Sequence, residues 1–121
     1  MTAITGQGGY PLTYKAYLGQ TITAGNALTL IPAKAGYKHV VEDIILTTKV
    51  SSEWMLTDGV DDLLSIFQGE TGTSRQTDRF DNLALEAGRG RVVNLRNDTG
   101  VGVAVDVRVG YRTHKVPLEG T

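Results

Sequence analysis

Two histidines, His39 and His114, and 13 carboxylates are the side chains through which this 121-residue chain could do acid–base or metal chemistry. His39 and Glu42 have a spacing that superficially suits a metal, but in a strand residues three apart point to opposite faces. A cupin-type centre needs clustered histidines and a glutamate on one inner face, and the sequence has no such cluster. Asp58-Gly59-Val60-Asp61-Asp62 places three carboxylates in a turn where oxygen ligands could gather around calcium. It lacks the alternating ligands and twelfth-position glutamate of a calcium loop, so a solvated hairpin tip is expected. Ser51, Ser52, Ser65 and Ser74 stand in no Gly-x-Ser-x-Gly setting. A carboxylate pair for glycoside hydrolysis is spatial and stays open at this level. The expectation is a non-enzyme with no catalytic residue, no cofactor and no metal. Trp54, beside Met55 and Leu56, reads as core, with an exposed sugar-stacking platform as the alternative.

Arg75, Arg79, Arg89 and Arg91 fall around two loops with Asp78, Asp81 and Glu86 interleaved. Alternating signs do not make the coherent positive patch that nucleic acid requires. They suit a polar protein interface, or else a solvated rim. Arg75, Arg79 and Arg89 are therefore candidate partner-binding cations. Gly88-Arg89-Gly90 is no phosphate loop, because no helix follows it. Ile4 is the one large apolar side chain in residues 1–9, and is the candidate anchor of an N-terminal arm. Nine extended residues reach about 30 Å.

The elements that must position these residues are read from period-two alternation. The chain has 15 glycines and no cysteine, which excludes a disulfide scaffold and thiol chemistry. Twelve basic against 13 acidic residues give a net charge of −1, which excludes a strongly basic nucleic-acid binder. No apolar run is long enough for a membrane helix, and the start has no signal-peptide pattern, so synthesis in a cytoplasm is expected. Tyr10, Leu12, Tyr14, Ala16 and Leu18 alternate with Pro11, Thr13, Lys15, Tyr17 and Gly19, as in a strand with one buried face. Ala27 to Ile31 is a short strand stopped by Pro32. From Lys38 to Val50 the even face, Val40 to Val50, is the better core face, with Glu42 as its exception. Glu53–Thr57 and Asp62–Phe67 flank Asp58-Gly59, a hairpin signal. Residues 68–79 read as a long loop, Phe80 to Leu85 as a weak strand and Arg91 to Arg96 as a strand. Asn97-Asp98-Thr99-Gly100 reads as a turn closing a hairpin onto a last strand. There Val101, Val103, Val105, Val107, Val109 and Tyr111 share one face. Gly102, Ala104 and Gly110 on the other would admit a second strand or subunit. About eight strands with regular turns and no helical stretch indicate an all-β sandwich or barrel. The expected organisation is an arm, 1–9, a β-domain, 10–116, and a tail, 117–121.

The run Leu28-Thr29-Leu30-Ile31-Pro32-Ala33-Lys34-Ala35-Gly36, the long strand from His39 and the segment Leu85 to Leu95 leading into Val101–Tyr111 together resemble small phage virion proteins. These carry one jelly-roll-like β-sandwich and include the decoration (cement) proteins of tailed bacteriophage heads. The resemblance covers roughly residues 27–112 and carries over no functional residue. It implies a structural protein on the capsid surface of the virion that binds and stabilises neighbouring major capsid protein subunits. A homotrimer is expected, with no nucleic-acid or membrane partner; Tyr17, Ile45 and Ala104 on the second faces of their strands agree with it. The alternative is a carbohydrate- or receptor-binding module of a tail or fibre appendage.

Overall fold

The computed structural model describes residues 11–69 and 76–116. Ile4, Arg75, the arm 1–9 and the tail 117–121 lie outside the described residues. Nine strands are present among those described: β1 Thr13–Ile22, β2 Ala27–Ile31, β3 Tyr37–Thr48, β4 Ser52–Thr57, β5 Asp62–Gln68, β6 Gln76–Phe80, β7 Leu85–Glu86, β8 Val93–Asn97 and β9 Val103–Lys115. One sheet has the order β1-β9-β3-β6, with β7 also on β3; the other has the order β2-β8-β4-β5. All pairs are antiparallel. Apart from the β4–β5 hairpin and the β6–β7 step, successive strands lie in different sheets, the double Greek-key winding of a jelly roll. The protein is therefore an all-β sandwich of the jelly-roll type. Its core lies between the sheets, with Leu30, Val41, Ile44, Leu46, Leu56, Val93, Leu95 and Val109 fully buried.

Two bulges decide which residues face that core. On β1, Tyr17 opposes Val107 and Gln20 opposes Val105, so Leu18 and Gly19 together face Asp106. Gly19 takes φ +65°, a left-handed conformation suited to a bulge, and its N–H donates to Asp106 Oδ1 at 2.6 Å. Lys15 and Tyr17 turn inward before the bulge and Ile22 after it, leaving Tyr14, Ala16 and Leu18 exposed. This reverses the expected buried face and moves Tyr17 off the outer surface; its hydroxyl donates to the Leu30 carbonyl at 2.6 Å. On β3, Val41 opposes Tyr111 and Asp43 opposes Gly110, so Glu42 has no opposite number. His39 and Val41 point inward before this step, Ile44, Leu46 and Thr48 after it. One inserted residue exchanges the faces because the side-chain period is two.

Three other expectations are corrected. Gln76–Phe80 is a strand paired with Ile44–Thr48 rather than loop. The expected strand 80–85 is broken by Asn82 and Ala84, whose φ angles are 55° and 51°. The segment after Asn97 is no hairpin: β8 and β9 lie in opposite sheets. Asn97 holds that corner, its Nδ2 donating to the Ile22 and Val101 carbonyls at 2.8 and 2.9 Å while its Oδ1 accepts from the Thr99 amide at 2.8 Å.

Candidate interaction surfaces

Polar groups inside the sandwich are spent on holding strands together. Gln68, fully buried, accepts from the Thr48 hydroxyl at 2.6 Å and donates to the Leu46 and Gln76 carbonyls at 3.1 and 3.3 Å. It thereby ties β5 of one sheet to β3 and β6 of the other. Trp54 is 1% exposed and its Nε1 donates to Ser52 Oγ at 2.8 Å, which makes it core and removes the stacking platform. His39 is 3% exposed and lies between Thr113 Oγ1 and the Pro32 carbonyl, each 2.9 Å from a ring nitrogen. A carbonyl can only accept, so Nε2 carries the proton and Nδ1 accepts from Thr113. Burial lowers the His39 pKa, against the opposing pull of the Pro32 carbonyl. Glu42, the bulge residue, faces Arg112 at 3.5 Å.

The Asp58 turn is solvated at residues 59–62, as expected, but Asp58 itself is buried. Asp58 is 3% exposed. Its Oδ1 accepts from the amides of Val60 and Asp61 at 3.0 and 2.7 Å. Its Oδ2 accepts from the Gly88 amide at 2.8 Å and from Arg91 Nη1 at 3.1 Å. Burial acts to raise its pKa, but the Asp61, Gly88 and Val60 amides and the Arg91 guanidinium outweigh it and bring it down to about 2. Arg91 also reaches Asp61 at 3.0 Å. Of the three carboxylates considered as calcium ligands, Asp58 is thus met by backbone amides and by Arg91, and Asp61 by Arg91, which clamps the β4–β5 hairpin to the loop before β8, while Asp62 lies 3.8 Å from Arg96. Among the described residues no group of three potential metal ligands comes together.

Of the candidate partner-binding residues, the two that are described, Arg79 and Arg89, lie on different elements. Arg79 on β6 is exposed on the outer side of the first sheet, 3.4 Å from Asp81 and opposite Ile45. Arg89 is exposed in the turn after β7, in a shallow recess with Lys38, Asp58 and Glu86. A different surface, the outer face of the β1-β9-β3-β6 sheet, was read from the sequence only through Ile45 and Ala104. Tyr14 is 57% and Leu18 64% exposed there, beside Ala16, Ile45 and Ala104. Tyr14 crosses β9 at Gly110, where a Cβ would lie 2.6 Å from its Cε1, and its hydroxyl donates to Asp43 Oδ2 on β3 at 3.1 Å. Gly110 therefore admits a neighbouring side chain rather than another subunit. The Asp43 hydrogen bond raises the Tyr14 pKa. The alternation on β1 was the available signal for this surface, and the Gly19 bulge concealed which side it served.

No protein-family model matches the sequence, and no curated protein matches it. Among solved structures, the chain is similar to the tobacco streak virus coat protein dimer, with 12% identity over 91% of this chain and 89% of that one and a TM-score of 0.38. A second crystal form of that coat protein gives 10% identity, 91% coverage of both chains and a TM-score of 0.37. The capsular polysaccharide assembling protein CapF from Staphylococcus aureus gives 12% identity and a TM-score of 0.27, over 90% of this chain and 27% of that one. Similarity of this degree leaves the functional reading to the surfaces themselves.

Proposed function

We propose that the chain is a structural virion protein without catalytic activity, a capsid decoration protein that acts as a homotrimer and clamps neighbouring major capsid protein subunits. The observation that carries this reading is the division of polar and apolar groups. Asp58, Gln68 and Asn97 are consumed in fastening strands, while Tyr14 and Leu18 stand exposed on one outer sheet face and Val50, Val60, Phe67 and Val101 are exposed elsewhere. A rigid jelly roll with an unspent face suits binding by several modest contacts acting together. The resemblance of the segments 28–36, 39–50 and 85–111 to phage decoration proteins points the same way. Ile4, in the segment 1–9, and the exposed Arg79 and Arg89 supply further contacts to the capsid. A glycan-binding appendage has less support, because Trp54 is core.

The test is co-sedimentation of the purified chain with undecorated phage heads. Retention that saturates at a fixed stoichiometry, and is weakened by deleting residues 2–9 with thermal unfolding unchanged, is expected. Absence of retention would defeat the reading.

A further inference from the structure

The outer face of the β1-β9-β3-β6 sheet carries charges of both signs. Arg108 is exposed in the middle of β9, between its register partners Ala16 on β1 and Ile45 on β3. The ion pairs among the described residues do not include it, and Asp106, two positions earlier on the same groove, accepts from the Gly19 amide. Asp43 stands two positions before Ile45 on β3 and opposite Gly110, so it shares this face. Among the described residues its hydrogen-bond donors are neutral, the Tyr14 hydroxyl at 3.1 Å and the Asn82 amide at 3.4 Å. A shallow groove lined by Leu18, Ile45, Thr47 and Arg108 runs beside the arginine. Arg108 and Asp43, set on adjacent strands of this face, offer a cation and an anion that are complementary to the same face of another copy.

We infer that this face is the contact between copies, in which Arg108 of one copy pairs with Asp43 of the next and Leu18 and Ile45 pack around the pair. Cation and anion come from different strands, so each copy gives one and receives one, and the pairs close around a symmetry axis. Water excluded by the apolar side chains strengthens each pair. The inference rests on the self-association in the proposed function and is independent of attachment to a capsid.

Sedimentation equilibrium of the full chain tests it, with thermal unfolding followed for each variant. The wild type is expected at about 39 kDa, three times the 13.0 kDa chain. Arg108→Asp and Asp43→Arg each weaken association roughly ten-fold or more, and the double exchange R108D/D43R recovers most of it. Leu18→Glu, at an exposed position that leaves the Tyr14–Asp43 bond intact, weakens association with unfolding unchanged. If Asp43→Arg does not fold, Arg108→Asp and Leu18→Glu decide the matter. Wild-type association that survives both of these changes overturns the contact and leaves self-association standing. A monomeric wild type overturns both, and a failure to bind heads touches neither.

Discussion

Asp58 concentrates more of the fold's polar bonding than its place in a surface turn suggests. Four N–H donors from two separate loops converge on one buried carboxylate. Its pKa, about 2 against an ordinary 3.8, means that the unfolded chain takes up the proton first as acid is added. The stabilisation is complete above about pH 4 and is lost as the pH falls through about 2. It amounts to about 2 kcal/mol. Urea denaturation from pH 7 down to pH 2 is expected to show that loss in the wild type and to lack it in Asp58→Asn, which is less stable at neutral pH. Gln68→Leu leaves the Thr48 hydroxyl with only the Val50 carbonyl and takes the Gln68 donor from the Leu46 and Gln76 carbonyls, and is expected to cost about 1–3 kcal/mol in the same measurement. The Asp-Gly dipeptide marked the turn in the sequence. Nothing there could mark its fastening, because Gly88 and Arg91 reach it only through the tertiary fold.

At the scale of elements, the two bulges separate what alternation reveals from what it hides. Gly19 is held in the left-handed region with open space where a Cβ would stand. Gly19→Ala therefore costs only backbone strain, about 1 kcal/mol. Gly110 is the opposite case, since its missing Cβ makes room for the Tyr14 ring. Gly110→Ala is expected to destabilise the wild type but to have little effect in a Tyr14→Ala background, a non-additivity that a thermal-unfolding double-mutant cycle would read. Additive effects would show that the ring does not depend on the glycine. The strand Val103 to Tyr111 was legible because it runs unbroken with valine on one face. β1 and β3 were legible as strands but not as faces, since one extra residue in each reverses the parity. β6 escaped notice because Thr77, Asp78 and Arg79 have no apolar alternation to announce pairing with β3.

At the scale of the whole molecule, strand spacing and turn chemistry indicated an all-β sandwich or barrel, and the sheet orders resolve it as a jelly roll. The crossing at Asn97 could not be foreseen, because Asn-Asp-Thr-Gly suits a hairpin equally well and the choice is made by bonds from Asn97 to Ile22. The candidate surface was legible only in part. Ile45 and Ala104 were placed on outer faces and remain there, whereas Tyr14 and Leu18 were assigned inward. A sandwich that fastens itself with buried polar clamps and leaves Tyr14 and Leu18 exposed on one sheet face is suited to stand on a larger assembly. Electron microscopy of phage heads assembled with and without this chain addresses that claim most directly. The account predicts three-fold jelly-roll density on the outer capsid surface only in heads that contain the chain, with the β1-β9-β3-β6 faces turned towards the three-fold axis. Heads that look the same in both preparations would contradict it.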